Sequence, residues 1–470
     1  MSTDERDDTA PIEGERRRGR GSLATAIWTA ADKGLPMLYG VAILLIPLNL
    51  GILDKAEFGR WTLFQSLFLA ISLFGDYLLL QPMVKFAAED KADSRPIITA
   101  GALLYLGSCI VLAASITLGA EFWSEVFKVG PAGYEILLLM VPSVLATFGR
   151  NFAIRVLQID LQIVRIFVLD LVYFGGLIAL MFIGWQQGTF ETALDLVYYN
   201  LWALAASSLV GLLLSGRLAV PVATNVVAAG RQIIGIAHHQ GWTGLMTVIQ
   251  QNVDVIIVSG TRGSGAAGIY SAARIFYRVF EALREAAQLL LISATSNAWS
   301  RRDTDRVADL TVLATAALAA LLYPTTVLLI ALAPIGIPIV LPESDFAANA
   351  VVPFQWLLGA GFAMPFVIVP SAVLLGIGKT RDLLTGMVAG TVVMIGAGLL
   401  LTWLFGPEGM AMAVLAGNVT IAIILSTRMN RSIPFRFRAV MQRSRGLFAD
   451  ARRLFGSRDD RSEDRDTSVH

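Results

Sequence analysis

Of the chain's 470 residues one is cysteine and three are histidine, and only 16% carry a formal charge. Cys109, alone and inside an apolar run, excludes an internal disulfide and reads as a small buried apolar side chain. His238, His239 and His470 make no metal-ligand spacing, so no metal site is expected. A soluble globular chain carries about a quarter of its residues as charges. The shortfall, with 55% hydrophobic content, points to a chain solvated largely by lipid. A net charge of +1 gives no handle for nucleic acid or for a strongly acidic partner. No aspartate-rich magnesium motif, serine nucleophile elbow or nucleotide loop is present, and the external connections are short. Neither an enzyme nor a cofactor is therefore expected. The opening stretch "MSTDERDDTAPIEGERRRGRGS" is polar and precedes no short apolar core with a cleavage site, so residues 1–22 read as a disordered cytoplasmic tail.

What the chain has in abundance is apolar runs, each near the ~20 residues that cross a bilayer as helix. Twelve spans are read: 34–53, 62–84, 97–119, 134–153, 164–184, 196–216, 242–260, 267–293, 309–333, 351–375, 383–405 and 409–427. The fourth carries Arg150 near its end, and the eighth is long and charged. Basic residues test the count. The N-terminal tail holds Arg6, Arg16, Arg17, Arg18 and Arg20. Alternate connections then hold Lys85, Lys91 and Arg95; Arg150, Arg155 and Arg165; Arg217 and Arg231; Arg301, Arg302 and Arg306; and Lys379 and Arg381. The intervening connections hold only Lys55 and Arg60, Lys128, and Arg262. Such an odd–even asymmetry is what the positive-inside rule produces when both termini are cytoplasmic.

The fold class that follows is an all-α polytopic membrane protein of about twelve transmembrane helices. The connection at 217–240 divides them into two pseudo-equivalent six-helix lobes, 23–216 and 241–427, a common transporter plan. Residues 428–470 form a second cytoplasmic tail. Its stretch "PFRFRAVMQRSRGLFADARRLFG" mixes phenylalanine and leucine with arginine, as does a basic amphipathic helix on an anionic leaflet. A disordered topology anchor is the other reading, and beyond Ser457 the chain is polar.

Gly263-Ser264-Gly265-Ala266-Ala267-Gly268 follows an apolar run and precedes a helix-like segment, with Glu281 near the offset of a ribose-binding acid in a dinucleotide unit. That unit needs a second strand before its acid. Glu281 lies instead in one helical run, and the turn falls on the external side. The glycines are expected to form a tight hairpin between the seventh and eighth spans.

Ionisable groups inside spans are costly and face a cavity or a partner. The eighth span carries Arg274, Arg278, Glu281, Arg284 and Glu285. At 100° per residue, positions 274, 278, 281 and 285 fall within a ~60° sector, with Arg284 about 80° from Arg274. Arg278 would sit ~18 Å below the outer end, near mid-bilayer. Such a helix lines a polar interior. One reading is a cationic lining for an anionic substrate, because arginine makes bidentate contacts with phosphate oxygens. The other is internal neutralisation, since 274/278/281 have the spacing of helical ion pairs. Glu281, Arg284 and Glu285, nearer the cytoplasmic end, read as a gating network or as simple pairs. Asp76 in the second span binds a coupling proton or sodium, or pairs with an arginine. Asp254 in the seventh span holds a coupling cation or neutralises an eighth-span arginine. Asp32 and Lys33 open the first span, where interfacial anchoring is the plain account. Tyr39, Gln65, Gln250, Gln251 and Asn252 fit sugar binding and helix packing equally well, and Gly386 with Gly390 reads as small-residue packing.

Several stretches resemble a known family. "LDKAEFGRWTLFQSLFLAISLFGDYLLLQPMVKFAAED" (53–90) is similar to the first-to-second-span region of Wzx-type polysaccharide flippases, in the multidrug/oligosaccharidyl-lipid/polysaccharide (MOP) exporter superfamily. "NVDVIIVSGTRGSGAAGIYSAARIFYRV" (252–279) resembles that family's seventh span, outer turn and eighth span. "LLGIGKTRDLL" (374–384) and "GPEGMAMAVLAGNV" (406–419) resemble its later connections. The chain departs from the pattern at Asp76-Tyr77, where aspartate-leucine-glycine is the family's form, and in "LLLISATSNAW", which lacks a proline.

The resemblance implies a central cavity lined by the first, second, seventh and eighth spans. It also implies flipping of a polyprenyl-pyrophosphate-linked oligosaccharide from the inner to the outer leaflet, by alternating access, for cell-surface polysaccharide biosynthesis such as exopolysaccharide or O-antigen. Carried onto this chain, the pyrophosphate-binding residues would be Arg274, Arg278 and Lys33. The implied setting is a bacterial inner membrane. The implied partners are membrane lipids, a proton or sodium as coupling ion, and polysaccharide polymerase and assembly proteins. An ion-coupled drug/cation antiporter of the same superfamily and a non-transporting envelope-assembly scaffold are the alternatives.

Overall fold

In a bilayer every backbone polar group must be satisfied within its own segment or a closed barrel, and a chain of long apolar runs meets this with helices. The computed structural model describes residues 39–40, 42–43, 46–48, 50–89, 94–160, 162–216, 221–222, 224–341, 344–433 and 440. The side chains at 89, 236–241, 243, 275–276, 278–286, 289–290, 340 and 344–345 lie outside what is described. Among the described residues all regular structure is helical.

Helix α1 (Lys55–Gly75) passes through a π-helical turn at Asp76–Leu80 into α2 (Gln81–Glu89). Then come α3 (Ser94–Leu118), the short α4 (Ala120–Val126), α5 (Gly130–Leu138) and α6 (Met140–Ile159), with α5 and α6 bent by 42°. Next are α7 (Ile163–Gln187), α8 (Ala193–Ser215), α9 (Val226–Arg262), α10 (Ser264–Ser300) and α11 (Thr304–Val340). Helix α12 (Ser344–Gly359) leads through a 3-10 turn (Ala360–Phe362) into α13 (Met364–Gly376), with a 47° bend, and α14 (Thr380–Phe405) and α15 (Pro407–Asn430) close the series. Helix starts use local polar caps. Asp54 accepts from the amides of Ala56 and Glu57 at 2.8 and 2.7 Å, and Thr192 and Asp195 form a reciprocal capping box.

Among the described residues seven helices are long and apolar enough to cross a membrane, or nine when each bent pair counts as one span. The seventh and eighth sequence spans fail that test because Gln250, Gln251, Asn252 and Asp254 interrupt α9 and the charge series from Arg274 to Glu285 interrupts α10. Both are nonetheless 37-residue helices. The first span lies mostly outside the described residues, as do Asp32, Lys33, the 1–22 tail and all of 434–470 except Val440. Nine spans together with α9 and α10 make eleven helical passages among the described residues, in line with an all-α chain of about twelve helices.

Two expectations change in detail. Positions 226–240, assigned to the connection between lobes, are helix continuous with the seventh span, because no proline interrupts 226–262 and the hydrogen-bond ladder simply continues. The glycine hairpin is a single residue, Gly263, whose φ of 84° is a backbone state closed to other residues. Helix resumes at Ser264, so Gly265 and Gly268 are helical positions rather than turn.

The chain forms two compact units. The first comprises 1–43, 75–117 and 139–239, and the second comprises 44–74, 118–138 and 240–470. In the first, α6 packs on α7 and α8 around Ala153, Leu157, Ile166 and Leu169, and the amide of Arg150 donates to Ser208 Oγ at 2.9 Å. In the second, α14 and α15 form a hairpin in which Gly386 lies against Leu425 and Gly390 against Ile421. The small-residue reading of that pair is the packing observed.

Candidate functional site

Helices α9 and α10 are antiparallel across Gly263. Asp254 stands nine residues before the turn and Arg274 eleven after it, at depths of ~14 and ~17 Å. The two side chains therefore meet. Arg274 Nε lies 3.0 Å from Asp254 Oδ2, and the same oxygen accepts from Tyr270 O–H at 2.8 Å. Asp254 Oδ1 accepts from the amide of Val255 at 2.9 Å, and Arg274 Nη2 donates to the carbonyl of Gln251. Asp254 is 2% exposed and Arg274 7%. Both border a cavity of about 50 Å³, to which α9 adds Gln250 and Gln251, α10 adds Tyr270 and Tyr277, and α15 adds Asn418. A water needs ~10–15 Å³ on this scale, so the cavity holds a few waters and no sugar ring. Gln250 Nε2 ties α9 to α14 through Thr391 Oγ1 at 2.7 Å, and Asn252 donates to Val248 O at 2.9 Å within its own helix.

The first unit carries its own buried charges on α6. Arg155 Nε donates to Asp76 Oδ1 at 2.7 Å and Nη2 donates to Oδ2, a fork-on-carboxylate geometry, while Nη1 reaches Gln158 Oε1 at 2.7 Å. Asp76 begins the π-helical turn, an irregularity that recurs at functional positions. One turn earlier Arg150 pairs with Asp170 of α7, its guanidinium 4.8 Å from the Tyr173 ring centroid and 5.8 Å from that of Phe174. Asn151 donates to Tyr105 Oη at 2.8 Å, and Tyr173 O–H donates to Asn200 at 2.8 Å. Tyr39 stacks among these rings, 4.6 Å from Phe174.

Of the sequence-predicted site residues, Asp254 and Arg274 come together in the second unit, and Asp76 belongs to the first. Of the two readings of each aspartate, pairing with an arginine is the contact formed. Lys33 and the side chains of Arg278, Glu281, Arg284 and Glu285 lie outside the described residues. Three partners escaped sequence reading: Arg150 and Arg155 passed for positive-inside residues, and Asp170 drew no notice. A signal did exist. Asp170 is a lone carboxylate in the apolar fifth span, and a lone intramembrane carboxylate calls for a cation.

Among the described residues every buried aspartate (Asp76, Asp170 and Asp254) is joined to a guanidinium. Burying one charge alone would cost several kcal/mol, on the order that forces a group to neutralise instead.

No protein-family model matches the chain, and no curated protein does. Solved structures do. The lipid II flippase MurJ in an inward closed conformation aligns with a TM-score of 0.72 at 14% identity, over 90% of this chain and 90% of its own. An inward-facing multidrug resistance MATE family transporter of the MOP superfamily gives 0.67 at 15% identity, over 87% of this chain and 98% of the other. An outward-facing conformation of a MATE family transporter gives 0.60 at 15% identity, over 87% and 95%. Identities this low establish fold, and the chain has the fold of MurJ and the MATE transporters.

Proposed function

We propose that the chain is a flippase that moves a polyprenyl-pyrophosphate-linked oligosaccharide from the inner to the outer leaflet of a bacterial inner membrane, with both termini cytoplasmic. The observation that carries this reading is the state of the buried aspartates among the described residues: Asp76, Asp170 and Asp254 are each held by an arginine. A cavity built for a cationic cargo needs a carboxylate with room for it. A chain that neutralises these three acids internally and carries a further arginine, Arg278, at i+4 from Arg274 in its sequence is suited to an anionic cargo. The fold likeness to a lipid II flippase over nine-tenths of both chains supports the same choice. In this reading Arg278 and Lys33, joined by Arg274 when its pair with Asp254 opens, take the pyrophosphate, the sugar occupies the interior, and the lipid tail stays in the bilayer. Six-helix halves at 23–216 and 241–427 rock to exchange access.

A second reading, an ion-coupled drug antiporter, draws on the equally extensive likeness to MATE transporters. The experiment that separates them is mass spectrometry of lipid-linked oligosaccharides from cells lacking the protein. Build-up of one polyprenyl-pyrophosphate glycan, relieved by the intact gene and not by Arg278→Ala, is the expected result. An unchanged glycan pool with altered drug tolerance overturns the flippase in favour of the antiporter.

A further inference from the structure

The α12–α13 rod breaks at Ala360–Ala363 because Pro365 has no amide hydrogen for the carbonyl four residues back, and it bends there by 47°. Helix α12 ends close against α15: a Cβ on Gly359 would stand 3.6 Å from Leu415 Cδ2. Beside that contact lies a groove of about 520 Å³, wholly within the second unit. Phe362 and Phe366 wall it on the side of the bend, and Val419 and Ile423 of α15 wall it on the other. Tyr323 of α11 backs Phe362, with ring centroids 5.4 Å apart. The groove lies open along its length, since Phe362, Val419 and Ile423 are 39%, 40% and 61% exposed.

An apolar surface on a membrane helix meets lipid as a matter of course. The end of this groove is different. Along α15 it runs from Leu415 to Asn430, ~22 Å of helix, enough to cover the ~15 Å that one leaflet contributes to the hydrocarbon core. It finishes at the end of α15 that the charge pattern assigns to the cytoplasm. There Ser426 lines the groove, and its Oγ is buried and makes no hydrogen bond within the protein. Its neighbour Thr427 behaves as hydroxyls in helices usually do, donating to Ile423 O at 2.7 Å. A buried hydroxyl without a partner is costly, and one that lines an open groove is suited to a ligand acceptor.

Charge complements that acceptor. The connection 377–382 and the last turn of α15 carry Lys379, Arg381, Arg428 and Arg431 against one acid, Asp382. Arg428 is committed to Asp382 at 3.0 Å, and Lys379 Nζ donates to Ser432 Oγ at 2.6 Å. Arg431 is exposed and directly follows Asn430, the last residue of the groove. A long apolar slot, one spare donor near its end and a cationic rim match the volume and the sparse polar lining of a ligand site. Basic pockets between spans on the cytoplasmic side take anionic headgroups.

We propose that this groove binds one acyl chain of an anionic glycerophospholipid of the inner leaflet. The chain lies between the bend and α15, Ser426 O–H donates to the ester carbonyl at the edge of the hydrocarbon, and Arg431 takes the phosphate. The ester selects the class of lipid. A polyprenyl pyrophosphate is hydrocarbon up to its first phosphate oxygen and offers Ser426 no carbonyl. The inference is therefore independent of the cargo.

The test uses the full-length protein in detergent and phosphatidylglycerol with a diazirine in its acyl chain. Irradiation and peptide mass spectrometry are expected to place adducts within 359–366 and 415–430. Excess unlabelled phosphatidylglycerol should suppress them, and phosphatidylcholine should not. Ile423→Trp, which fills the groove from an exposed position, is expected to cut labelling there at least about tenfold. Ser426→Ala should cut it by about two- to tenfold, the worth of one hydrogen bond. Arg431→Gln should abolish the preference for phosphatidylglycerol over phosphatidylcholine. Labelling spread evenly over the lipid-exposed helices, or suppressed equally by phosphatidylcholine, would overturn the site and leave boundary lipid only. Stronger suppression by a polyprenyl phosphate would overturn it too and give the groove to a prenyl chain. Should Ile423→Trp fail to fold, the adduct map of the unaltered protein decides.

Discussion

Arg274 Nε and Asp254 Oδ2 are 3.0 Å apart, joined across a one-residue turn and shielded almost wholly from solvent. Their geometry makes the pair a unit: the carboxylate also accepts from Tyr270 and Val255, and the guanidinium donates to Gln251 O. Removing one partner leaves the other buried and uncompensated. Asp254→Ala is expected to destabilise the protein by about 3–5 kcal/mol, whereas Asp254→Leu/Arg274→Met should be destabilised far less than the sum of its single variants. Thermal unfolding of the four proteins in one detergent checks this, and additive losses would show that the pair contributes no coupling.

The Asp76–Arg155 fork predicts a different split. If the pair serves packing alone, Asp76→Leu/Arg155→Leu folds and keeps the proposed glycan export. If the pair opens during the cycle at the π-helical turn it flanks, the double variant folds and export falls at least about tenfold. The second outcome is expected, because the carboxylate of the fork stands on the π-helical turn, where a helix changes direction at least cost. Export per folded molecule, rather than growth, is the measurement.

Charge placement made the helix count legible. Lys and Arg cluster on every other connection even where hydropathy fails, and α9 and α10 are helices despite Asp254 and Arg274 within them. Tertiary pairing was legible only in part: an eighth-span arginine for Asp254 and an arginine for Asp76 were each one of two readings, and both are formed. Arg150 and Arg155 sit at a spacing and depth that topology alone explains, and only the fold brings Asp170 and Asp76 to them. The glycine cluster was half legible. A turn at Gly263 follows from its composition, but Gly268 answers to the Lys55 carbonyl, more than two hundred residues earlier, which no local pattern encodes.

Gly263 gives the sharpest backbone prediction. Its φ of 84° and ψ of 178° belong to a region that side chains with a Cβ essentially avoid. Gly263→Ala is expected to cost about 1–3 kcal/mol. Gly390→Leu, which drives a branched side chain into Ile421, is expected to cost a similar ~1–3 kcal/mol by overpacking. Guanidine-free thermal scans resolve both, and a Gly263→Ala protein as stable as the parent would show that the turn adopts another conformation.

The paired carboxylates also predict what the protein should refuse. A lipophilic dye cation such as ethidium needs a buried negative charge not already held by a guanidinium. Among the described residues the buried aspartates, Asp76, Asp170 and Asp254, each hold an arginine. Vesicles bearing the intact protein should therefore neither bind nor transport the dye above the background of empty vesicles. Arg274→Leu removes the cation from Asp254 beside a cavity of about 50 Å³ and leaves a carboxylate that a cation would stabilise. The dye is too large for that cavity, so the variant should instead gain thermal stabilisation by a small cation such as sodium, and Arg274→Leu/Asp254→Asn should lose it again. Robust dye transport by the intact protein would mean that one of these pairs opens to admit a cation, and the cargo would then be cationic rather than a phosphate-bearing lipid.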